Sequence, residues 1–334
     1  MNRLLGLLLV VLLVVGLAVG GAALWERSNY TAPGPEAAEG QQTTVLIPAG
    51  EGLTTISATL KKAGVIDSAL MFRWSVRLRG LTPKLKAGEY TIPSTASMEE
   101  VAAILMSGKS IQHKLTAAEG LTSRMIYDLV KADPVLTGDA GNVPAEGTLL
   151  PETYLFTRGT TRSGLLARMH AAQKRLIARL WPKRAKDLPF ADPHQAIILA
   201  SIVEKETSRP DERRHIAAVF INRLKRGIKL QSDPTIIYGI TKGYPLGRGI
   251  RESELNRATP YNTYVIAGLP PTPICNPGKD AIAAVLDPAQ SDDLFFVADG
   301  TGGHAFAATV TEHRKNVVKW RKIERRKKHR ARRH

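Results

Sequence analysis

Residues Leu4 to Trp25 run for 22 positions without one charged side chain, most of them Leu, Val, Gly and Ala. About 20 such residues is the length a helix needs to cross a bilayer, where every backbone polar group must be bonded within the segment. No other feature constrains the chain as strongly. It predicts a single-pass transmembrane helix over residues 4–25, with residues 1–3 in the cytoplasm and the rest of the chain on the far side. Arg3 and the amino terminus precede the run, while Glu26, Arg27, Glu36 and Glu39 follow it, an asymmetry that favours this orientation. A cleaved leader is the rival reading, with Ala18, Gly20 and Ala22 as small residues before a cut. Its apolar stretch would be about 7–15 residues, and this one is longer. Residues 26–42, rich in Pro, Gly, Ala and Glu, carry no apolar period and read as a linker.

The remaining length suits about two domains, and 43 % hydrophobic residues predict a packed core. Cys275 is the lone cysteine, which excludes an internal disulfide framework and a Cys-rich metal site. The net charge of +17 invites a nucleic-acid partner, but +8 of it falls in the basic tail 321–334. Such a tail reads as solvated, or as attracted to anionic headgroups or wall polymers. On the far side of a membrane it meets no nucleic acid, so none is inferred as a partner.

Residues 43–109 carry short, mixed signals. Val45-Leu46-Ile47-Pro48 predicts a strand, and Thr54–Ala63 a helix stopped by Gly64. Asp67 or Ser68 caps a second helix ending at Gly80, and Glu89-Tyr90-Thr91-Ile92 predicts another strand. Ser97 with Glu100 forms a capping box for a helix that stops at Gly108. This strand–helix–helix–strand order resembles a small LysM-like subdomain, a glycan-binding unit; a spacer without a ligand fits the same order. Glu51-Gly52-Leu53-Thr54 recurs as Glu119-Gly120-Leu121-Thr122, each before a predicted helix. The glycine suits a strand-to-helix turn and the threonine an N-cap.

From 110 to 320 strands, helices and Pro/Gly-rich loops alternate, and the fold class expected is α+β. One helix spans Ser163–Leu180. Another opens at Asp192-Pro193-His194-Gln195, where aspartate caps, proline takes the first helical position and glutamine completes the box. Its body, Ala196 to Val203, is apolar nearly all round and should be buried on almost every side. The last turn then carries Glu204, Lys205 and Glu206. At 3.6 residues per turn Glu204 lies above Ile197, Ala200 and Ser201, while Glu206 points to the other side. A carboxyl on a buried stripe loses solvation, which raises its pKa toward what a general acid needs near neutral pH. A cluster of charges where the helix leaves the core fits the same periodicity. Two-carboxylate glycosidases need a second acid, and Glu152, Glu206, Glu212 and Asp233 are present without diagnostic spacing.

A longer set of motifs is more specific. Ala200-Ser201-Ile202-Val203-Glu204-Lys205-Glu206-Thr207 resembles the catalytic-glutamate motif of the endolytic transglycosylases of the MltG, or YceG-like, family. Glu146 to Tyr154, Val219 to Leu224, Leu230 to Thr235, Pro260 to Tyr264 and Gly268 to Gly278 are similar to further blocks of that family, as are Phe295-Phe296-Val297 and His304-Ala305-Phe306. Glu152 and Cys275 depart from its pattern. The resemblance implies cleavage of the β-1,4 bond between N-acetylmuramic acid and N-acetylglucosamine in nascent peptidoglycan, leaving 1,6-anhydro ends and limiting strand length. It places the catalytic acid and base at Glu204. Asn222, Gln231, Asp233, Tyr261, Asn262, Tyr264 and Asn276 become candidates to line a glycan groove. It further implies work at the bacterial cytoplasmic (inner) membrane, on its periplasmic side, beside peptidoglycan synthases (penicillin-binding proteins). The histidines show no ligand spacing and no phosphate loop appears, so no metal and no cofactor is expected.

Overall fold

The computed structural model describes residues 2–331, so the first residue and the last three of the basic tail lie outside the described residues. The chain is α+β and divides into two compact units. The first runs from the N-terminus to His113 with Leu155–Gly159; the second holds Lys114–Tyr154 and the chain from Thr160 on.

In the first unit, α1 (Asn2–Thr31) is followed by β1 (Gln42–Ile47), α2 (Leu53–Lys62), α3 (Ala69–Leu78), β2 (Gly88–Pro93) and α4 (Met98–Ser107). The expected strand–helix–helix–strand order is present, with β1 and β2 antiparallel and Val45 opposite Tyr90. Val45, Ile47, Leu60, Phe72, Val76, Tyr90, Val101 and Leu105 close the core. Ser68 caps α3, and Ser97 with Glu100 makes the reciprocal box on α4. The Glu-Gly-Leu-Thr echo splits. Gly52 is the N-cap of α2 and Thr54 lies inside it, whereas Thr122 caps its helix through its side chain.

Among the described residues α1 is the one helix long and apolar enough to cross a bilayer. It does not stop at Trp25. It continues to Thr31, and its last turn packs into the first unit. Tyr30 is 1 % exposed with the Arg79 guanidinium 4.0 Å over its ring, and Glu26 accepts from Ser75 and Arg79. The start of the segment expected as a linker is therefore ordered helix. Tyr30 is an apolar anchor in a stretch whose composition otherwise reads as loop.

The chain enters the second unit along β3 (His113–Thr116), which pairs with β4 (Thr153–Phe156). There follow α5 (Ser123–Ala132), lying between those strands in sequence, then α6 (Arg162–Leu180), α7 (Pro193–Glu206), α8 (Pro210–Lys225), α9 (Asp233–Thr241), the short α10 (Glu252–Leu255) and α11 (Lys279–Leu286). The antiparallel pair β5 (Phe295–Ala298) and β6 (His304–Ala307) precedes α12 (Val310–Ala331). The basic tail expected from residue 321 continues α12 as helix through Ala331. Helix α7 is the axis of this unit. Leu199, Ala200, Ile202 and Val203 are each fully buried against Ile216, Ala217 and Phe220 of α8 and Ile282 and Val285 of α11. Each large apolar side chain so buried contributes about 1.5–3 kcal/mol. Asp192 caps α7 by accepting from the Gln195 N–H, with Pro193 at the first position. The Gln195 side chain reaches the Ala191 N–H, so the box closes one residue earlier than expected.

Candidate active site

Glu204 stands where α7 leaves the core. The helix beneath it is buried, and Lys205 beside it is exposed. The Glu204 side chain is 6 % exposed, so water stabilises its ionised form poorly. One carboxylate oxygen, Oε2, accepts from the Gly278 N–H at 2.9 Å; the other, Oε1, faces Arg213 Nη2 at 3.6 Å. Burial pushes the carboxyl above the usual range, and nearby Glu119 adds to this. The Gly278 N–H, Arg213 and Lys205 act in the opposite direction without cancelling it. Such a group keeps its proton to higher pH than an exposed glutamate does.

Two loops bring these partners in. The Glu119-Gly120-Leu121 turn and the Asn276–Gly278 segment bond to each other, Gly120 N–H to Asn276 O at 3.1 Å and Asn276 N–H to Leu121 O at 2.9 Å. Gly278 is the N-cap of α11, and its backbone N–H is free to meet Glu204. A side chain there would collide with the Glu119 carboxylate, which occupies the place a Cβ would take. Ser201, one turn before Glu204, accepts from the Ile274 N–H at 3.0 Å and so ties the second loop to α7.

Glu206 points the other way, as the helical spacing requires. It accepts from Ser232 Oγ at 2.6 Å, and burial pushes its carboxyl up to about 7, with Asp233 adding and His304 opposing. His304 is itself bound through Nδ1 to Glu212 at 2.7 Å.

The expected groove residues separate into two sets. Asn222, Asn262 and Asn276 spend their amides inside the protein. Asn222 donates to the carbonyls of Ser291 and Asp293. Asn262 is 1 % exposed and donates to the carbonyls of Glu254, Leu255 and Arg257. Asn276 is fully buried; its Oδ1 accepts from the Leu149 N–H and its Nδ2 donates to Leu121 O, Ser123 Oγ and Glu146. These three shape loops. Gln231, Asp233, Tyr261 and Tyr264 are nearer the surface. Gln231 is exposed and held at φ +54°, the left-handed region a non-glycine residue rarely adopts. Asp233 accepts from the Tyr264 hydroxyl at 2.7 Å, and Tyr264 lines an open cleft of about 460 Å³ with Lys229, Glu252 and Asn256. Tyr261 pairs its hydroxyl with Thr272 at 2.8 Å. Cys275 is fully buried with Sγ 3.4 Å from Ser201 O, and burial holds its thiol neutral.

Sequence reasoning passed over Glu119 and Arg213 as partners of Glu204. The only trace of Glu119 is the Glu-Gly-Leu-Thr echo, where the glycine and threonine drew the attention. Arg213 sits in a run of charges, Asp211-Glu212-Arg213-Arg214, that looks like a solvated helix start.

Residues 45–319 match the model of the YceG-like family. A protein of Bacillus subtilis (strain 168) named endolytic murein transglycosylase is 29 % identical over 335 residues, covering 91 % of each chain. A Streptococcus pneumoniae protein of the same name (serotype 2, strain D39) is 30 % identical over 324 residues. That match covers 82 % of this chain and 58 % of the relative, so this chain spans little more than half of it. A putative YceG-like protein of Listeria monocytogenes has been solved; it is 30 % identical with a TM-score of 0.50, over 83 % of this chain and 99 % of that one.

Proposed function

The chain belongs to the YceG-like family, and from that premise we propose that it is an endolytic murein transglycosylase with Glu204 as its one catalytic acid and base. The observation that carries the reading is the shielded Glu204 carboxyl, pushed above the usual range and held by a single backbone N–H. In the first half of the reaction Glu204 gives its proton to the glycosidic oxygen, and the bond from that oxygen to C1 of N-acetylmuramic acid breaks. The C6 hydroxyl of the same sugar then attacks C1, and the Glu204 carboxylate takes the hydroxyl proton. The products are a free N-acetylglucosamine hydroxyl and a 1,6-anhydro end, and no water is consumed.

Around this centre, Gln231, Asp233, Tyr261 and Tyr264 are the groove candidates with surface access, Tyr264 offering a ring face and Asp233 an acceptor. Asn222, Asn262 and Asn276 act at one remove, by fixing loops. The first unit serves as a LysM-like glycan holder. Helix α1 anchors the chain in the cytoplasmic membrane with the catalytic unit outside, where nascent strands leave the synthases, and cutting there limits strand length.

Glu204→Gln, which keeps size and hydrogen bonding but cannot donate a carboxyl proton, is expected to abolish strand cleavage with the fold intact. Near wild-type cutting by this variant would sink the mechanism. A second reading, hydrolysis, needs a second carboxyl at the site; Glu206, on the same helix end, faces away from Glu204 and is bonded to Ser232, so it does not supply one. Mass spectrometry of digested strands separates the two, because an anhydro end is lighter than a reducing end by one water.

A further inference from the structure

One guanidinium faces three carboxylates beside the end of α7, and none of them holds it closely. Arg213 Nη2 lies 3.4 Å from Glu119 Oε2 and 3.6 Å from Glu204 Oε1, while Nη1 lies 3.5 Å from Asp280 Oδ2. A committed charge-assisted bond closes to about 2.7–2.9 Å, and others in this chain do, at 2.6 Å for Arg209–Asp211 and 2.8 Å for Arg214–Asp287. Arg213 is 8 % exposed, and its Nε has no hydrogen-bond partner among the described residues. Buried guanidinium groups normally use their donors, since leaving one idle costs free energy. Long contacts to three partners with a donor idle describe a cation that has not settled on any of them.

We propose that Arg213 is a positioning residue for Glu204: a counter-ion shared with Glu119 and Asp280 that closes on Glu204 when its carboxyl is ionised and withdraws to the other two when it is protonated. The inference rests on the reading of Glu204 as acid and base, and explains how one group serves both steps. A tight, exclusive arginine pair would hold Glu204 ionised and leave no proton to give. With no cation nearby, the carboxylate formed after protonating the leaving oxygen would be stranded in a poorly hydrated site. Sharing avoids both extremes. The charges acting on Glu204 come from every side. Glu119 on the turn after β3 favours its protonated form, while Lys205 on α7 and Arg213 on α8 favour the ionised form. Asp280 on α11 touches Arg213 alone among these groups, so its influence passes through the guanidinium. Gly278 admits the Glu119 carboxylate to the cluster by having no side chain, and ties down Oε2 of Glu204. The proton therefore belongs on Oε1, the oxygen facing Arg213.

The test follows protonation of Glu204 directly, by carbodiimide labelling of the detergent-solubilised full chain across pH, read at Glu204 by peptide mass spectrometry. The alkaline limb of cleavage of isolated peptidoglycan strands is measured in parallel. Arg213→Gln raises the labelling midpoint by about one pH unit, and Arg213→Lys restores it. Asp280→Asn lowers it by freeing the guanidinium for Glu204; Glu119→Gln lowers it by the same route and also by removing a carboxylate that itself favours the protonated form. These two alter side chains that are 65 % and 41 % exposed and leave the fold intact, and Asp280→Asn decides the matter if Arg213→Gln does not fold. An unmoved midpoint in Asp280→Asn overturns the proposal, since Asp280 reaches Glu204 only through Arg213 and a merely structural Arg213 would transmit nothing. Midpoints that shift as expected while strands stay uncut, or while the cleavage limb stays fixed, uphold the shared counter-ion and refute the catalytic reading of Glu204 instead.

Discussion

Glu206 and Asn276 show how far a residue's role depends on what surrounds it. The Glu206 carboxyl has a folded-state value of about 7 against 4.5 for an ordinary glutamate. Its protonated form is the one the fold accommodates. The stability it contributes is thus complete below about pH 4.5 and is lost as pH rises through about 7. Glu206→Gln stays neutral at every pH and is expected to be more stable than wild type at pH 8, by about 3 kcal/mol, and equally stable near pH 4.5. Melts at the two pH values check this; a pH-independent difference would contradict it. Asn276 was expected to meet sugar, yet all its amide hydrogen bonds are internal. Asn276→Ala should therefore destabilise the fold by about 3 kcal/mol or more, since it leaves buried partners of both signs unsatisfied. A groove asparagine would instead weaken substrate binding with the melting temperature unchanged. The residue type, polar and next to Pro-Gly, was legible in the sequence. Whether its amide faces sugar or backbone was not, because that depends on Leu149 and Leu121, 127 and 155 positions away.

Helix α7 was the most legible element. Its cap, its proline, its apolar body and the opposite facing of Glu204 and Glu206 all follow from local spacing, and the structure carries each of them. What spacing could not convey is the tie between this helix and the loop that completes the site. Ser201 reads as a small helical residue, but its hydroxyl accepts from the Ile274 N–H of the second loop and donates to Ile198 O. Ser201→Ala is expected to cost about 1–3 kcal/mol and to loosen the loop that presents Gly278. Strand cleavage should fall further than stability predicts, because the N–H holding Glu204 Oε2 is displaced; kcat measured on folded protein checks this. In α12 the run of like charges, read as a solvated tail, is largely exposed, and without Gly or Pro it continues the helix begun at Val310.

On the scale of the molecule, α1 does two things. Its first part has the length and composition of a membrane span, and its last turn is a wall of the first unit's core. Two truncations should therefore behave differently. A chain beginning at Glu26 keeps Tyr30 and the Glu26–Arg79 pair and should fold free of membranes. One beginning at Pro33 loses the buried tyrosine and should be less stable by about 3–5 kcal/mol in the first unit. Equal melting of the two would show that the packing of Tyr30 contributes nothing.

By itself the sequence determined what depends on near neighbours along the chain. That includes an apolar run long enough for a bilayer, helices with their caps, and a glutamate raised on a buried stripe. Ordered motifs added a family. Only the tertiary structure decided which groups surround that glutamate. Glu119, Arg213 and Gly278 come from three separate segments, and their meeting depends on packing between α7, α8 and α11 rather than on any spacing. A carboxyl's proton affinity is set by charges and dipoles within a few ångströms, and sequence distance says little about which those will be.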